Sequence, residues 1–334
     1  MEAKKWYTFD DVALLPSYST LESRLDPNLT TKLTCKTNVA LPFIPSPMSS
    51  VIGLKLGKQL VKNQIYPIFH RFYKDPTELT DWINEIGNNG YISWGLDYLN
   101  VLVAIFQDPI YKPKGVCFDV AHGHCKKMKE AIEYFKTWHP DVEVIAGTIC
   151  TPTAAIDLVR WGADAIRVGI GAGSACTTRL VTGFGAPQFS TIHECSLALK
   201  RIKSDVPIIA DGGIRNSRDI ALALAAGAST VMLGKLFAST EESAAEYIDI
   251  SKKYKIYKGQ ASSEFQKTGR ASEGHSGLVE VKGTVDELLT ELSENLRTSL
   301  SYAGAANVRH FQIAARWVEV TRNYWDESQT RFDK

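Results

Sequence analysis

The stretch Val168-Gly169-Ile170-Gly171-Ala172-Gly173-Ser174-Ala175-Cys176-Thr177-Thr178-Arg179 follows an apolar run and sets three glycines ahead of a cysteine flanked by hydroxyls and a cation. Glycine permits positive φ and close backbone approach, so such a loop can aim several backbone N–H or C=O groups at one ligand. The spacing Gly169-x-Gly171-x-Gly173 is not the Gly-x-Gly-x-x-Gly of a dinucleotide-binding turn, which would also sit near the first strand of an open doubly wound sheet. Here the glycines end the sixth apolar run of the chain. Runs at 39–48, 65–70, 91–95, 116–120, 142–146, 165–170, 206–210 and 230–233 recur with helix-spaced segments between many of them. Strands that read as continuous apolar runs are buried on both faces. Eight such β/α units in this length predict an α/β fold, a closed (β/α)8 TIM barrel, ahead of the doubly wound alternative.

Helical spacing is expected at 53–63, 77–86, 126–138, 152–161, 216–226 and 286–301. Thr151 precedes Pro152 as cap and first helical residue, and Gly227 closes 216–226. Residues 1–38 read as irregular and polar. The Gly/Ser-rich stretch 259–277 is too long for an ordinary connection and reads as a mobile flap over the barrel mouth after strand eight. The Arg-, Trp- and Asp-containing tail carries no usable motif. The whole of 1–334 is expected to be one barrel domain.

The 38 basic residues nearly balance the 37 acidic ones, so there is no electrostatic footprint for nucleic acid or for an anionic membrane. No apolar run is long enough to span a bilayer, and the N-terminus lacks the apolar core of a signal peptide. The six cysteines show no C-x-x-C pair and no zinc spacing. Free thiols and a cytoplasmic setting are therefore expected.

The ends of the eight runs collect polar and glycine residues, as the mouth of a barrel enzyme should. Ser46-Pro47-Met48, His70-Arg71, Ser93-Trp94-Gly95, Asp119 with His122-Gly123-His124, Gly147-Thr148, the Cys176 loop, Asp211-Gly212-Gly213 and Gly234-Lys235 all fall there. Loops after strands seven and eight often hold phosphate in this fold. Asp211-Gly212-Gly213 alone would be a turn. Paired with Gly234 it suggests a nucleotide monophosphate, with Asp211 accepting from ribose hydroxyls. Cys176 is either a small buried hydrophobe or a nucleophile whose thiolate Arg179 favours; local context leaves both open. His122 and His124 with one Asp are too thin a set for a ligand cluster, so no catalytic transition metal is expected.

These residues resemble the IMP dehydrogenase/GMP reductase family. The likeness rests on the Cys176 loop, Asp211-Gly212-Gly213, residues 231–234, Tyr257-Lys258-Gly259 and Arg270-Ala271-Ser272-Glu273-Gly274. Tyr7, Asp10-Asp11-Val12, Leu14-Leu15-Pro16 and Ser46-Pro47-Met48 add to it. The resemblance runs through nearly the whole chain. It implies a tetrameric (β/α)8 enzyme in which Cys176 attacks C2 of a purine nucleoside 5′-monophosphate and a nicotinamide cofactor exchanges hydride with that carbon. It implies a K⁺ ion on backbone carbonyls of Gly171, Gly173 and Cys176. It implies nucleotide contacts from Ser46, Met48, Ser174, Asp211, Gly212, Gly213, Gly234, Lys235, Tyr257 and Gly259, and cofactor contacts from Asp119, His122, Gly123, Thr148 and Gly169.

Two features point to the reductase branch. There is no room after the second strand for the CBS insert of most dehydrogenases. The flap also lacks the adjacent Arg-Tyr pair with which dehydrogenases of the family activate water. The resemblance then implies NADPH-dependent deamination of GMP to IMP and ammonia through a Cys176 thioimidate, with Thr178 and Glu273 moving protons. The alternatives are a CBS-free IMP dehydrogenase, a reductase of a related purine nucleotide, and a catalytically silent nucleotide-binding barrel.

Overall fold

The computed structural model describes residues 4–73, 75–259 and 274–329. Eight strands form one sheet: β1 (Phe43–Pro45), β2 (Ile68–Phe69), β3 (Tyr91–Trp94), β4 (Gly115–Asp119), β5 (Glu143–Ile149), β6 (Ala165–Val168), β7 (Ile208–Asp211) and β8 (Thr230–Leu233). Their spatial order is β1-β8-β7-β6-β5-β4-β3-β2, with every pairing parallel. The two ends of that series are chain neighbours, so the sheet curls into a nearly closed barrel with helices between its strands. Each expected strand is present, because residues such as Phe43, Ile44, Val116, Val144, Ile166 and Val231 are wholly buried and an apolar run is what two covered faces require.

The helices that the sequence signals are α1 (Leu54–Lys62), α2 (Pro76–Ile86), α4 (Lys126–Trp138), α5 (Pro152–Arg160), α7 (Ser217–Ala225) and α8 (Val285–Tyr302). Their starts have local causes. The Thr151 hydroxyl accepts from Ala154 N at 3.3 Å, the Asn216 side chain accepts from Asp219 N, and Thr284 with Glu287 closes a capping box. Two further helices, α3 (Leu99–Gln107) and α6 (Gln188–Arg201), complete the alternation. Neither begins with a side-chain cap.

The chain ends are more ordered than their composition suggests. Val12–Leu15 pairs antiparallel with Arg316–Glu319, so the segment expected to be irregular and the tail without a motif hold one another. A hairpin of Thr31–Lys32 and Asn38–Val39 lies at the opposite end of the barrel from the Cys176 loop. Its buried Thr34 and Thr37 hydroxyls donate to the Glu143 carboxylate at 2.5 and 2.8 Å, and Tyr91 donates to the same group at 2.5 Å. Burial beside that carboxylate drives the Tyr91 phenol far above its ordinary pKa. The expected helix at 286–301 is followed by two short ones, Val308–Ala314 and Asn323–Glu327.

After β8, β9 (Tyr254–Lys258) and β10 (Ser276–Glu280) form an antiparallel ribbon. It brings Gly259 and Gly274 back to the barrel mouth, where Cys176 bridges Gly274. Residues 260–273 of the expected flap, with Arg270 and Glu273, lie outside the described residues.

Candidate active site

Gly169, at the end of β6, has a φ of 146°. A Cβ there would lie 2.5 Å from Gln188 Nε2 and closer still to the Asp211 carbonyl. Only glycine lets the loop leave β6 this tightly against β7. Gly171 turns with a φ of 76°, and Cys176 N donates to Gly173 O at 3.0 Å to close a turn. The thiol that this turn presents is partly exposed and stands 3.1 Å from the Thr178 hydroxyl. Cys117 and Cys195 are buried in the core instead, and burial pushes the Cys117 thiol up to about 11. Arg179 has another task than the one its position suggests. It donates to Ala186 O at 2.5 Å, and its side chain covers Gly171 and Gly185.

Two cavities meet at this loop. The first, of about 190 Å³, is lined by Cys176, Thr178, Asp119, Thr148, Arg167 and Gly169 among others; Gly171, Gly259 and Gly274 also reach it. The second, of about 290 Å³, is lined by Ser174, Gly213, Gly234, Lys235, Gln188 and Arg215 among others. Ser46, Met48, Gly173, Asp211, Gly212 and Tyr257 form the wall common to both. Most of the residues singled out from the sequence are therefore brought together at the C-terminal ends of the strands. Gly212 and Gly213, with φ of 89° and 79°, fold against Ala172 and Gly173, so the loop after β7 packs directly on the Cys176 loop. The Tyr257 hydroxyl, from β9, donates to Met48 Sδ at 3.7 Å and lies against Gly234. Burial raises its phenol to about 12.

Two sequence candidates stand off the cavity walls. His122 is exposed and Gly123 is packed on Gly147; Gly123 N donates to Thr148 O at 2.8 Å. The wall at this point is Ala121 instead, because the β4 loop turns outward after one residue. His124 binds Asp157 at 2.9 Å and stacks on Trp161. No group of His, Cys, Asp and Glu among the described residues could hold a metal ion.

Sequence reading passed over several members of the site. Arg167 on β6 is buried and donates to Asp119 at 2.5 Å and to Asp211 at 2.7 Å. The two carboxylates hold its guanidinium charged despite burial. Its signal was a lone cation inside the apolar run Ala165-Ile166-Arg167-Val168. Gln188 binds the carbonyls of Val168 and Asp211 at 2.9 and 3.1 Å, tying β6 to β7. Thr8, Phe9 and Asp10 form part of the second cavity. Asp10 is fixed by Arg215, whose guanidinium lowers the carboxyl's pKa. Asp10 belongs to the Asp10-Asp11-Val12 motif, and Thr8 caps the short turn over Phe9–Asp11, but neither pattern tells that they reach the cavity.

Known proteins resemble this chain over most of its length. A family model described as IMP dehydrogenase / GMP reductase domain matches residues 114–331. A GMP reductase of Lactobacillus gasseri is 36% identical over 318 residues, covering 92% of this chain and 93% of the relative. One of Lactobacillus johnsonii is 37% identical over the same shares. One of Staphylococcus aureus is 37% identical, over 91% of this chain and 94% of the relative.

Proposed function

The chain belongs to the IMP dehydrogenase/GMP reductase family, and from that premise we propose that it is an NADPH-dependent oxidoreductase converting GMP to IMP and ammonia. The observation that carries the reading is the meeting of the Cys176 thiol with the Asp211-Gly212-Gly213 loop across a shared wall. A nucleotide laid over that wall has its phosphate beside Gly213, Gly234 and Lys235, and its ribose at Asp211. Its base then lies against Cys176. Ser46, Met48, Ser174, Tyr257, Gly212 and Gly259 complete the cradle.

The Cys176 thiolate adds to C2 of the purine, forming a C–S bond. Thr178, 3.1 Å from the sulfur, is placed to pass a proton between the thiol and the departing amine. Glu273 is the proposed acid that delivers the proton with which the C2–N bond breaks and ammonia leaves. A positioned acid is typically worth about 10²–10⁴-fold, and the covalent thioimidate divides one hard displacement into two easier ones. A reduced nicotinamide dinucleotide, when bound, supplies the hydride that reaches C2 before the C–S bond breaks. Asp119 and Thr148, which line the first cavity, would hold its carboxamide through a carboxylate and a hydroxyl. Gly169 gives it backbone access. His122 and Gly123, held off the wall, are left to the outer part of the dinucleotide.

The K⁺ reading rests on Gly171, Gly173 and Cys176. One tight turn carries these residues, Gly173 O already accepting from Cys176 N. A carbonyl oxygen has a second lone pair, and neutral carbonyl oxygens are the ligands K⁺ accepts in place of water. The donor set therefore fits.

Residues 259–277 are the proposed flap, with β9 and β10 as its stem. β2 passes through α2 directly to β3, which supports one catalytic domain over 1–334 without a CBS insert. Exposed Leu180 and Phe184 beside the Cys176 loop support burial against another copy in a homotetramer. Six free thiols suit a reducing cytoplasm.

The test is paired turnover. GMP with NADPH is expected to consume the NADPH absorbance and yield IMP. Failure of that reaction, with IMP and NAD⁺ giving NADH instead, identifies a dehydrogenase. Nucleotide binding without turnover in either direction identifies a silent barrel.

A further inference from the structure

Arg167 does more than fill the barrel. It lies on β6, between Asp119 at the end of β4 and Asp211 at the end of β7. One guanidinium nitrogen donates to each carboxylate, at 2.5 and 2.7 Å. The third, Nε, is buried without a partner among the described residues. The guanidinium thus commits its two terminal nitrogens to the two carboxylates. Asp119 is held from its other side by Arg71, whose Nε donates to the Asp119 carbonyl at 3.2 Å and stands 3.9 Å from its carboxylate. The result is a row of alternating charge, Arg71, Asp119, Arg167 and Asp211, of which the last three line the first cavity.

The function proposed above, on which this inference rests, gives the two carboxylates different ligands: cofactor at Asp119 and ribose at Asp211. We propose that Arg167 is a positioning residue that couples the two sites, so that filling one raises affinity at the other. A guanidinium is planar and its donors keep a fixed fork geometry. A ligand that orders Asp211 fixes the plane of Arg167, and that plane fixes Asp119. The second ligand then meets a carboxylate already oriented, and the ordering is not repeated. By linkage, the effect is the same in both directions.

The experiment uses the full chain and the unreactive pair GMP and NADP⁺. The dissociation constant of each is measured alone and with the other saturating. Wild type is expected to show tightening of about 5–150-fold, the usual range for coupled sites. Arg167→Gln should bring that ratio to within about twofold of one. Because this variant leaves two partly buried carboxylates without their shared cation, its folding is checked by Tm and Arg167→Lys is measured beside it. The lysine keeps the charge but not the fork. It should restore each separate affinity to within a few-fold of wild type while the coupling ratio stays depressed. A structural role alone would lower both affinities and leave the ratio untouched; an unchanged ratio in Arg167→Lys overturns the inference. If wild type does not turn over GMP with NADPH, the functional reading fails and this inference with it. If wild type turns over and the ratio survives in the variants, only the coupling role of Arg167 is lost.

Discussion

Replacing Gly169 with alanine tests how β6 and β7 build the site. The new Cβ would sit 2.5 Å from Gln188 Nε2 and nearer to the Asp211 carbonyl, where ordinary contacts need roughly 3.5–4.0 Å. Something must therefore move by about 1 Å or more. Gln188 cannot swing away freely, because it holds the carbonyls of Val168 and Asp211. The displacement falls on the backbone that carries Asp211. The residue must also keep a φ of 146°, a region open essentially to glycine alone, which costs an L-residue about 1–3 kcal/mol. Overpacking adds about 1–3 kcal/mol. Together these predict a loss of roughly 2–6 kcal/mol, seen as a Tm lower by about 3–9 °C. Misplacement of a positioning group by 1 Å can cost about 10²-fold in rate, so kcat/KM for GMP should fall by at least that factor. Thermal melting and steady-state NADPH oxidation are the assays. A folded Gly169→Ala with wild-type Tm and KM would show that the contact between the Cys176 loop and β7 does not define the site.

Cys176→Ala should abolish turnover while GMP affinity, read by calorimetry, stays within a few-fold of wild type; equal loss of both would make the thiol structural. Glu143→Gln replaces one of two oxygens that accept from Thr34, Thr37 and Tyr91. Hydrogen bonds to charged groups are worth about 1.5–3 kcal/mol, so one or two losses predict roughly 2–5 kcal/mol by denaturant unfolding with kcat unchanged, and an unshifted midpoint would refute the role of this buried carboxylate. His70 is buried, and burial lowers its pKa from 6.5 to about 4; its Nδ1 accepts from Phe72 N at 3.1 Å, which requires that nitrogen unprotonated. The unfolded chain then binds a proton that the native state refuses between these values. The stabilisation is complete above about pH 6.5 and lost as pH falls to about 4, on the order of 3 kcal/mol in all. His70→Gln should flatten this part of the pH–stability curve, and an unaltered acid limb would assign the loss to other groups.

The sequence by itself determined the eight strands and most of the helices between them. Burial on both faces demands apolar runs, and Thr151, Asn216 and Thr284 cap helices through contacts within four residues. It also located the mouth, because glycine and polar residues gather where the strands end. The Cys176 loop and Asp211-Gly212-Gly213 were legible as separate motifs for the same reason: their glycines record local backbone geometry. The tertiary structure decided what those motifs face. Arg167 looked like an intruder in an apolar strand until β4 and β7 brought Asp119 and Asp211 to either side of it. Arg179 follows the thiol in the chain, yet it serves the carbonyl of Ala186. Gln188 carries no local pattern, since it binds Val168 and Asp211, each twenty or more residues away, and Asp10, though part of a legible motif, gains its Arg215 partner only across 205 residues. That His122 stands off the cavity wall was not legible either, because a loop's direction depends on what it packs against. Periodicity and capping are properties of neighbours in the chain; a charge row across a barrel exists only once the barrel has closed.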